Sequence, residues 1–230
     1  MTEVLSYGGG VNSTALAILL INEGWKGLLV FADTSSEWPE TYEFMDFFEQ
    51  DWLKPRGFEI IRLHPKFTPE FYRKRYRMPL YDYCWQYHMV PLVRARFCTR
   101  LYKTLPIAAW CKKNGIETQL LAIDAGEAHR MPQAQRPLVG RGIDRAGCKS
   151  IIREAGLVVP HKSGCYFCPM KSRWRWRVLW AKHPDLYDKA VALEENASNH
   201  DVRRGALDPS GKITLRQRLY TYEHQMELSL

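Results

Sequence analysis

The 230-residue chain is 46% hydrophobic and 25% charged, ordinary proportions for a globular protein, with a net charge of +8. That length fits one sizeable α/β domain, or one domain with a smaller appendage. No apolar run reaches the roughly 18 residues that cross a bilayer. The start, Met1-Thr2-Glu3-Val4-Leu5, has neither a basic n-region nor a signal-peptide core, so we expect a cytoplasmic protein with no membrane partner.

Residues 3–7 read as a short strand. Gly8, Gly9 and Gly10 follow, then a helix-forming run from Ser13 to Glu23 that Gly24 is suited to cap. Gly27 to Asp33 is a continuous apolar run, the pattern of a strand buried on both faces. Pro39 suits the first turn of a helix running to Leu53, which Pro55 and Gly57 end. Phe58 to His64 reads as a third strand. Residues 65–104 are aromatic and basic without a clean period, and are expected as short helices and loops covering a site. Pro106 to Asn114 reads as a helix stopped by Gly115, Glu117 to Asp124 as a fourth strand, and Ile143 to Ala155 as a helix closed by Gly156. Helical segments follow at 172–182 and 184–198, and the polar end from 201 reads as a flexible arm or hairpin.

This alternation implies a doubly wound, mostly parallel α/β sheet with helices on both faces. It suggests a nucleotide-binding domain over 1–160 and a helical, cysteine-bearing C-terminal extension over 161–230. Ligands of such sheets sit at the carboxyl ends of the strands. Three features fall there: the glycine loop, Asp33, and Asp124 to Arg130.

The loop Ser6-Tyr7-Gly8-Gly9-Gly10-Val11-Asn12-Ser13 has the makings of a phosphate cradle. Glycines remove the side chains that would keep a phosphate from the backbone, and they allow positive φ. Successive N–H groups then form an anion nest at the positive end of a helix. Ser6, Ser13 and Thr14 offer hydroxyl donors. The alternative is a glycine turn that only joins strand to helix.

The pattern Ser-x-Gly-Gly-x-x-x-Ser after the first strand resembles the pyrophosphate loop of the PP-loop ATP pyrophosphatases, and within them the phosphoadenosine phosphosulfate (PAPS) reductase-like family. Phe31-Ala32-Asp33-Thr34 with Glu37, Pro39, Glu40, Thr41 and Tyr42 resembles the family's second-strand motif. Cys98-Thr99 with Lys103 and Pro106 resembles its middle motif, and Ile123 through Glu127 with Arg130 its fourth-strand motif. The resemblance implies an adenine nucleotide α-hydrolase-like fold. It implies ATP held by Ser6, Gly8, Gly9, Gly10, Asn12, Ser13, Thr14 and Asp33, and cleavage between the α- and β-phosphates. Many family loops carry Asp where this chain has Asn12, which bears on Mg²⁺ handling there. Arg130 and Lys103 would contact phosphate, and Glu127 would hold Mg²⁺ or a substrate amine; a surface ion pair and an exposed lysine are the plainer readings.

Cys165-Tyr166-Phe167-Cys168 is a C-x-x-C unit whose spacing lets two thiolates meet one metal. Closing a four-thiolate site takes two more cysteines, and Cys98 and Cys148 are the expected pair. Some PAPS reductase-like proteins hold a [4Fe–4S] cluster with a similar layout, whereas four-Cys Zn²⁺ is the alternative, and a redox pair or four reduced thiols remain open. Cys84 and Cys111 read as packing residues, with Cys84 also open as a reactive thiol.

Residues 54–103 carry twelve Lys and Arg against three acids, and 141–177 carry nine against two. Arg173-Trp174-Arg175-Trp176-Arg177 interleaves guanidinium and indole groups, as base-stacking segments do. These features are either a solvated surface or a surface for polyanions. The expected function is therefore adenylation of a substrate with pyrophosphate release, for sulfur transfer, with a nucleic-acid acceptor and a sulfur-donor protein as possible partners and a homodimer as a possible assembly. True PAPS or adenylylsulfate reduction is the second reading. The resemblance sets it back, because reductases carry a C-terminal cysteine nucleophile and no cysteine follows Cys168 here. A nucleotide-dependent nucleic-acid-binding module with structural zinc is the third.

Overall fold

The computed structural model describes residues 2–93, 95–200, 207 and 213–227, with side chains described as far as Tyr222. Four strands, β1 (Glu3–Ser6), β2 (Leu28–Ala32), β3 (Ile60–Leu63) and β4 (Thr118–Leu121), form a wholly parallel sheet in the order β3-β2-β1-β4. The helices in chain order are α1 (Val11–Asn22), α2 (Pro39–Phe47), α3 (Leu80–Gln86), α4 (Phe97–Thr99), α5 (Leu105–Lys113), α6 (Pro137–Gly140), α7 (Arg145–Glu154), α8 (Arg173–Lys182), α9 (Pro184–His200) and α10 (Leu215–Glu227). The expected doubly wound α/β architecture is thus present.

The strands alternate their side chains between two cores, as the period of two requires. Leu5, Leu29, Phe31 and Ile60 enter one core with α1, α7 and the π-helical continuation of α2 over Phe48–Leu53. Val4, Val30, Ala32 and Leu63 enter the opposite one with Ile107 and Cys111 of α5. Burial on both faces explains the unbroken apolar run read for β2. Gly24, at φ 84°, ends α1 in the left-handed region that glycine takes without strain.

A separate aromatic core lies beside the sheet. Tyr72, Tyr76, Tyr83, Cys84 and Tyr102 pack there with Phe167, Trp176, Leu179, Tyr187 and Leu193. Residues from both sides of position 160 share this core, so the helical extension is built into residues 72–102. The end read as a flexible arm or hairpin contains helix α10, whose Leu215 and Tyr222 join the same core. Apolar burial of one face makes that polar sequence helical. The remainder of that end, residues 201–206, 208–212 and 228–230, lies outside the described residues.

Candidate nucleotide and thiol site

Successive strands run outward from β1 to β3, and β4 then returns to the other side of β1. The gap between the carboxyl ends of β1 and β4 is the switch point where such sheets bind ligands. A hydrogen bond spans it: Asn12 Nδ2 at the start of α1 donates to Asp124 Oδ2 beyond β4, at 2.8 Å. Arg145 Nη1, at the start of α7, donates to Asn12 Oδ1 at 2.9 Å. This explains Asn rather than Asp at position 12, because an amide both donates to Asp124 and accepts from Arg145 whereas a carboxylate only accepts.

The three glycines have different duties. Gly9 has φ +63°, and a Cβ there would stand 2.9 Å from Met45 Sδ and Thr41 Cγ2 of α2. Gly10 precedes α1, and a Cβ there would stand 2.7 Å from Ser163 Oγ. At Gly8 an added Cβ would meet only Ser13 Oγ, at 3.8 Å. Gly8 therefore leaves room over the backbone, while Gly9 and Gly10 let two neighbouring segments close on the loop.

The hydroxyls are less free than expected. Ser13 Oγ accepts from Gly10 N at 3.2 Å and donates to Gly10 O at 3.0 Å, bracing the loop from within. Thr14 is fully buried with its hydroxyl 3.2 Å from that of Tyr7, so it serves the core rather than a ligand. Ser6 Oγ accepts from Gln119 Nε2 at 2.5 Å and keeps its own proton to donate. Asp33, also buried, accepts from Ser35 N and from the Tyr42 hydroxyl, both at 2.7 Å, fixing the turn after β2. Glu127 and Arg130 pair with each other at 2.5 Å, both more than one-third exposed.

The turn after β2 receives the thiol segment. Glu37 and Cys165 form an antiparallel bridge, and Tyr166 N donates to Ser36 O at 2.9 Å. Cys168 N donates to Cys165 O at 3.1 Å, closing the knuckle. Cys165 Sγ lies 3.4 Å from Thr34 Oγ1. Lys103 Nζ donates to Glu37 Oε1 at 2.8 Å; the carboxylate is fully buried and the lysine 35% exposed. Burial opposes the lysine's charge, but Glu37 and the Cys165 and Cys98 thiols outweigh it and raise its pKa.

Cys84, Cys98, Cys165 and Cys168 are electrostatic neighbours. Burial raises the Cys84 thiol, with Cys98 and Cys165 adding to it. Burial and then Cys168 raise Cys98, and burial and then Glu37 raise Cys165. Cys148 is not among them. It faces inward from α7 into the first core, where burial and Asp124 push its thiol up to about 11. The amphipathic face that α7 shares with Ile152 turns it there, whereas Cys98 and Cys165 pack with Cys84 in the aromatic core. Cys111 is a core residue, as read.

Lys171 is buried, with Nζ 4.6 Å from the Trp38 ring centroid, 5.1 Å from that of Trp176, and 3.2 Å from Cys165 O, to which it donates. Burial, and then the nearby Arg175, lower its pKa to about 7. Glu37 Oε2, Thr41 Oγ1 and Arg175 Nε are buried without a hydrogen-bond partner among the described residues, so polar ligand atoms would find unsatisfied groups here. Among the described residues, no three His, Cys, Asp or Glu side chains are gathered tightly enough to hold a metal as they stand. Lys103, Lys171 and Arg175 are electrostatic neighbours of the Cys98, Cys165 and Cys168 thiols, a sulfur donor set of the type that thiophilic metals take. Two hollows, lined by Lys26, Lys54 and Arg56 and by Ala108, Lys112 and Gly115, hold none of these residues.

The family model for the phosphoadenosine phosphosulfate reductase domain matches residues 2–122. The chain belongs to the PAPS reductase domain family. This places it in the PP-loop adenine nucleotide α-hydrolase-like superfamily. The match includes the loop, Asp33, Cys84, Cys98 and Lys103 of this PAPS reductase domain, while Cys165 and Cys168 lie beyond it. The chain is also similar to phosphoadenylyl-sulfate (PAPS) reductase from Candida auris, solved as a phosphate complex, at 16% identity and a TM-score of 0.47, over 70% of this chain and 76% of that one. No curated protein matches it. Among the described residues no helix is long and apolar enough to cross a membrane.

Residues missed from the sequence are Asp124 as the partner of Asn12, Arg145, Ser163, Lys171 and Cys84. Arg145 directly follows Asp144, whose carboxylate caps α7 at Gly147 N, so a helix-start signal was there to place it at the switch point.

Proposed function

We propose that this PAPS reductase-family chain binds ATP at the β1–β4 switch point and adenylates an acceptor with release of pyrophosphate, in the service of sulfur transfer. The backbone N–H groups of Gly8 and Gly9 take the phosphates, with Ser6 as an added donor. Arg145, held against Asn12, sets positive charge beside them. Asp124 and Glu127 are the carboxylates near enough in sequence to the switch point to receive Mg²⁺, which would neutralise phosphate charge. Cys84, Cys98, Cys165 and Cys168 would hold a [4Fe–4S] cluster, or Zn²⁺ in the alternative. When bound, a cluster supplies an iron to carry or deliver sulfur. Lys103, whose charge Glu37 stabilises, would offset the charge of metal-bound thiolates, and the Trp38 and Trp176 rings flank Lys171.

The observation that carries this reading is the closure of the thiol segment on the phosphate loop. Ser163 packs on Gly10, and Cys165 pairs with Glu37 at the end of β2. Burial raises the Cys84, Cys98 and Cys165 thiols, so each is a poor nucleophile at neutral pH, and a bound metal would have to displace their protons.

Family membership favours a second reading, reduction of PAPS or adenylylsulfate. One paired assay decides between them: pyrophosphate release from ATP with mixed RNA and DNA acceptors, and sulfite release from PAPS with a dithiol reductant. Pyrophosphate without sulfite supports adenylation. Sulfite without pyrophosphate overturns it in favour of reduction, and failure to bind either nucleotide removes both.

A further inference from the structure

The two segments that supply the thiols contain no acid. Residues 83–103 hold four Lys and Arg, residues 155–184 hold six, and neither has an Asp or Glu. An ordinary solvated surface mixes both signs. Here one sign surrounds one site.

The structure distributes these residues unevenly by chemistry. Inside, Lys103, Lys171 and Arg175 face Glu37, the thiols and the tryptophan rings. Outside, Arg96, Arg100, Arg173 and Arg177 are exposed. Arg96 Nη2 lies 3.2 Å from Met170 Sδ, so the segment leading to Cys98 and the one leaving Cys168 meet at the surface. At positions i and i+4 of α8, Arg173 and Arg177 share a flank, and Trp174 lies between them with 68% of its surface exposed. Trp176 of the same helix is fully buried, so Trp174 is the surplus aromatic. Its exposure is unfavourable for a tryptophan unless something flat covers it.

We propose that this face, Arg96, Arg100, Met170, Arg173, Trp174 and Arg177, binds single-stranded nucleic acid and delivers it to the thiol site. Guanidiniums neutralise phosphates whatever the sequence, and an exposed indole between them stacks an unpaired base. A duplex hides its base faces and would engage the arginines alone. An acidic protein would satisfy the charge but leaves Trp174 without a stacking partner. The proposal rests on the reading of the site above for the chemistry that follows, and not for binding itself.

The test is fluorescence anisotropy with labelled single-stranded DNA, single-stranded RNA and duplex DNA at several salt concentrations, without added nucleotide. Tighter binding of one or both single strands than of duplex is expected. Trp174→Ala should weaken it about tenfold or more. Arg173→Gln with Arg177→Gln should flatten the plot of log affinity against log salt by about 1.4, near 0.7 for each lost phosphate contact. Lys112→Gln with Lys113→Gln removes the same charge at the far end of α5 and should leave binding unchanged. All five positions are exposed, so the variants should fold; thermal melts check this. Equal loss in both double variants, wild-type affinity in Trp174→Ala, or no single-strand binding at low salt overturns the proposal. ATP affinity is measured on the same samples. Strand binding lost with ATP binding kept sinks this surface alone.

Discussion

Gly8 and Gly9 are adjacent, yet valine at each should fail in a different way. At Gly9 the positive φ costs a residue with a Cβ about 1–2 kcal/mol. The 2.9 Å approaches to Met45 and Thr41 add overpacking of about 1–3 kcal/mol. Gly9→Val should thus lose roughly 2–5 kcal/mol, a fall in Tm of about 4–20 °C. At Gly8 the new side chain meets only Ser13 Oγ at 3.8 Å. Gly8→Val should therefore fold within about 1 kcal/mol of wild type. It fills the space a phosphate needs. Losing two charge-assisted N–H bonds of about 1.5–3 kcal/mol each weakens nucleotide binding by about 10²- to 10⁴-fold. Calorimetric titration with ATP beside thermal melts reads both quantities. A Gly8→Val protein with wild-type Tm and wild-type ATP affinity would refute the assignment of the loop.

Asn12→Asp sets a carboxylate 2.8 Å from Asp124 in place of a donor. It should cost about 1–3 kcal/mol and be relieved by Mg²⁺, so melts with and without the cation should diverge in the variant more than in wild type. Lys103→Met leaves the Glu37 carboxylate buried alone. Because the lysine is 35% exposed, the cost should be about 2–3 kcal/mol, less than for a fully buried pair, and adding Glu37→Gln should recover much of it in urea unfolding. The Cys148 thiol is raised from 9.0 to about 11, so the fold favours its protonated form. That stability is intact below pH 9 and lost as pH rises through 11. Over that window wild type should lose up to about 3 kcal/mol more than Cys148→Ala, measured by unfolding at fixed pH steps.

The strands were legible because β2 is apolar throughout and β1 ends in glycines, and both signals come from the backbone's own needs. Residues 65–104 were not, because Tyr72, Tyr76, Tyr83 and Tyr102 take their places only against Phe167, Trp176 and Tyr187, far along the chain. The same reason hid Cys84. It and Cys148 are both buried helical cysteines, and the core each helix turns toward separates them. The tight turn at the loop was legible from its glycines, of which Gly9 takes a positive φ. The bonds between Ser13 and Gly10 were not, since hydrogen bonds within a turn leave no mark in composition.

The central claim joins a nucleotide loop to a four-thiolate centre, and metal analysis of anaerobically purified protein tests it most directly. Iron, acid-labile sulfide and zinc would be measured in wild type, Cys84→Ser and Cys148→Ser. The account predicts about four iron and four sulfide per chain in wild type, retained in Cys148→Ser and lost in Cys84→Ser. Metal-free wild type, or a centre lost with Cys148 and kept without Cys84, would contradict it.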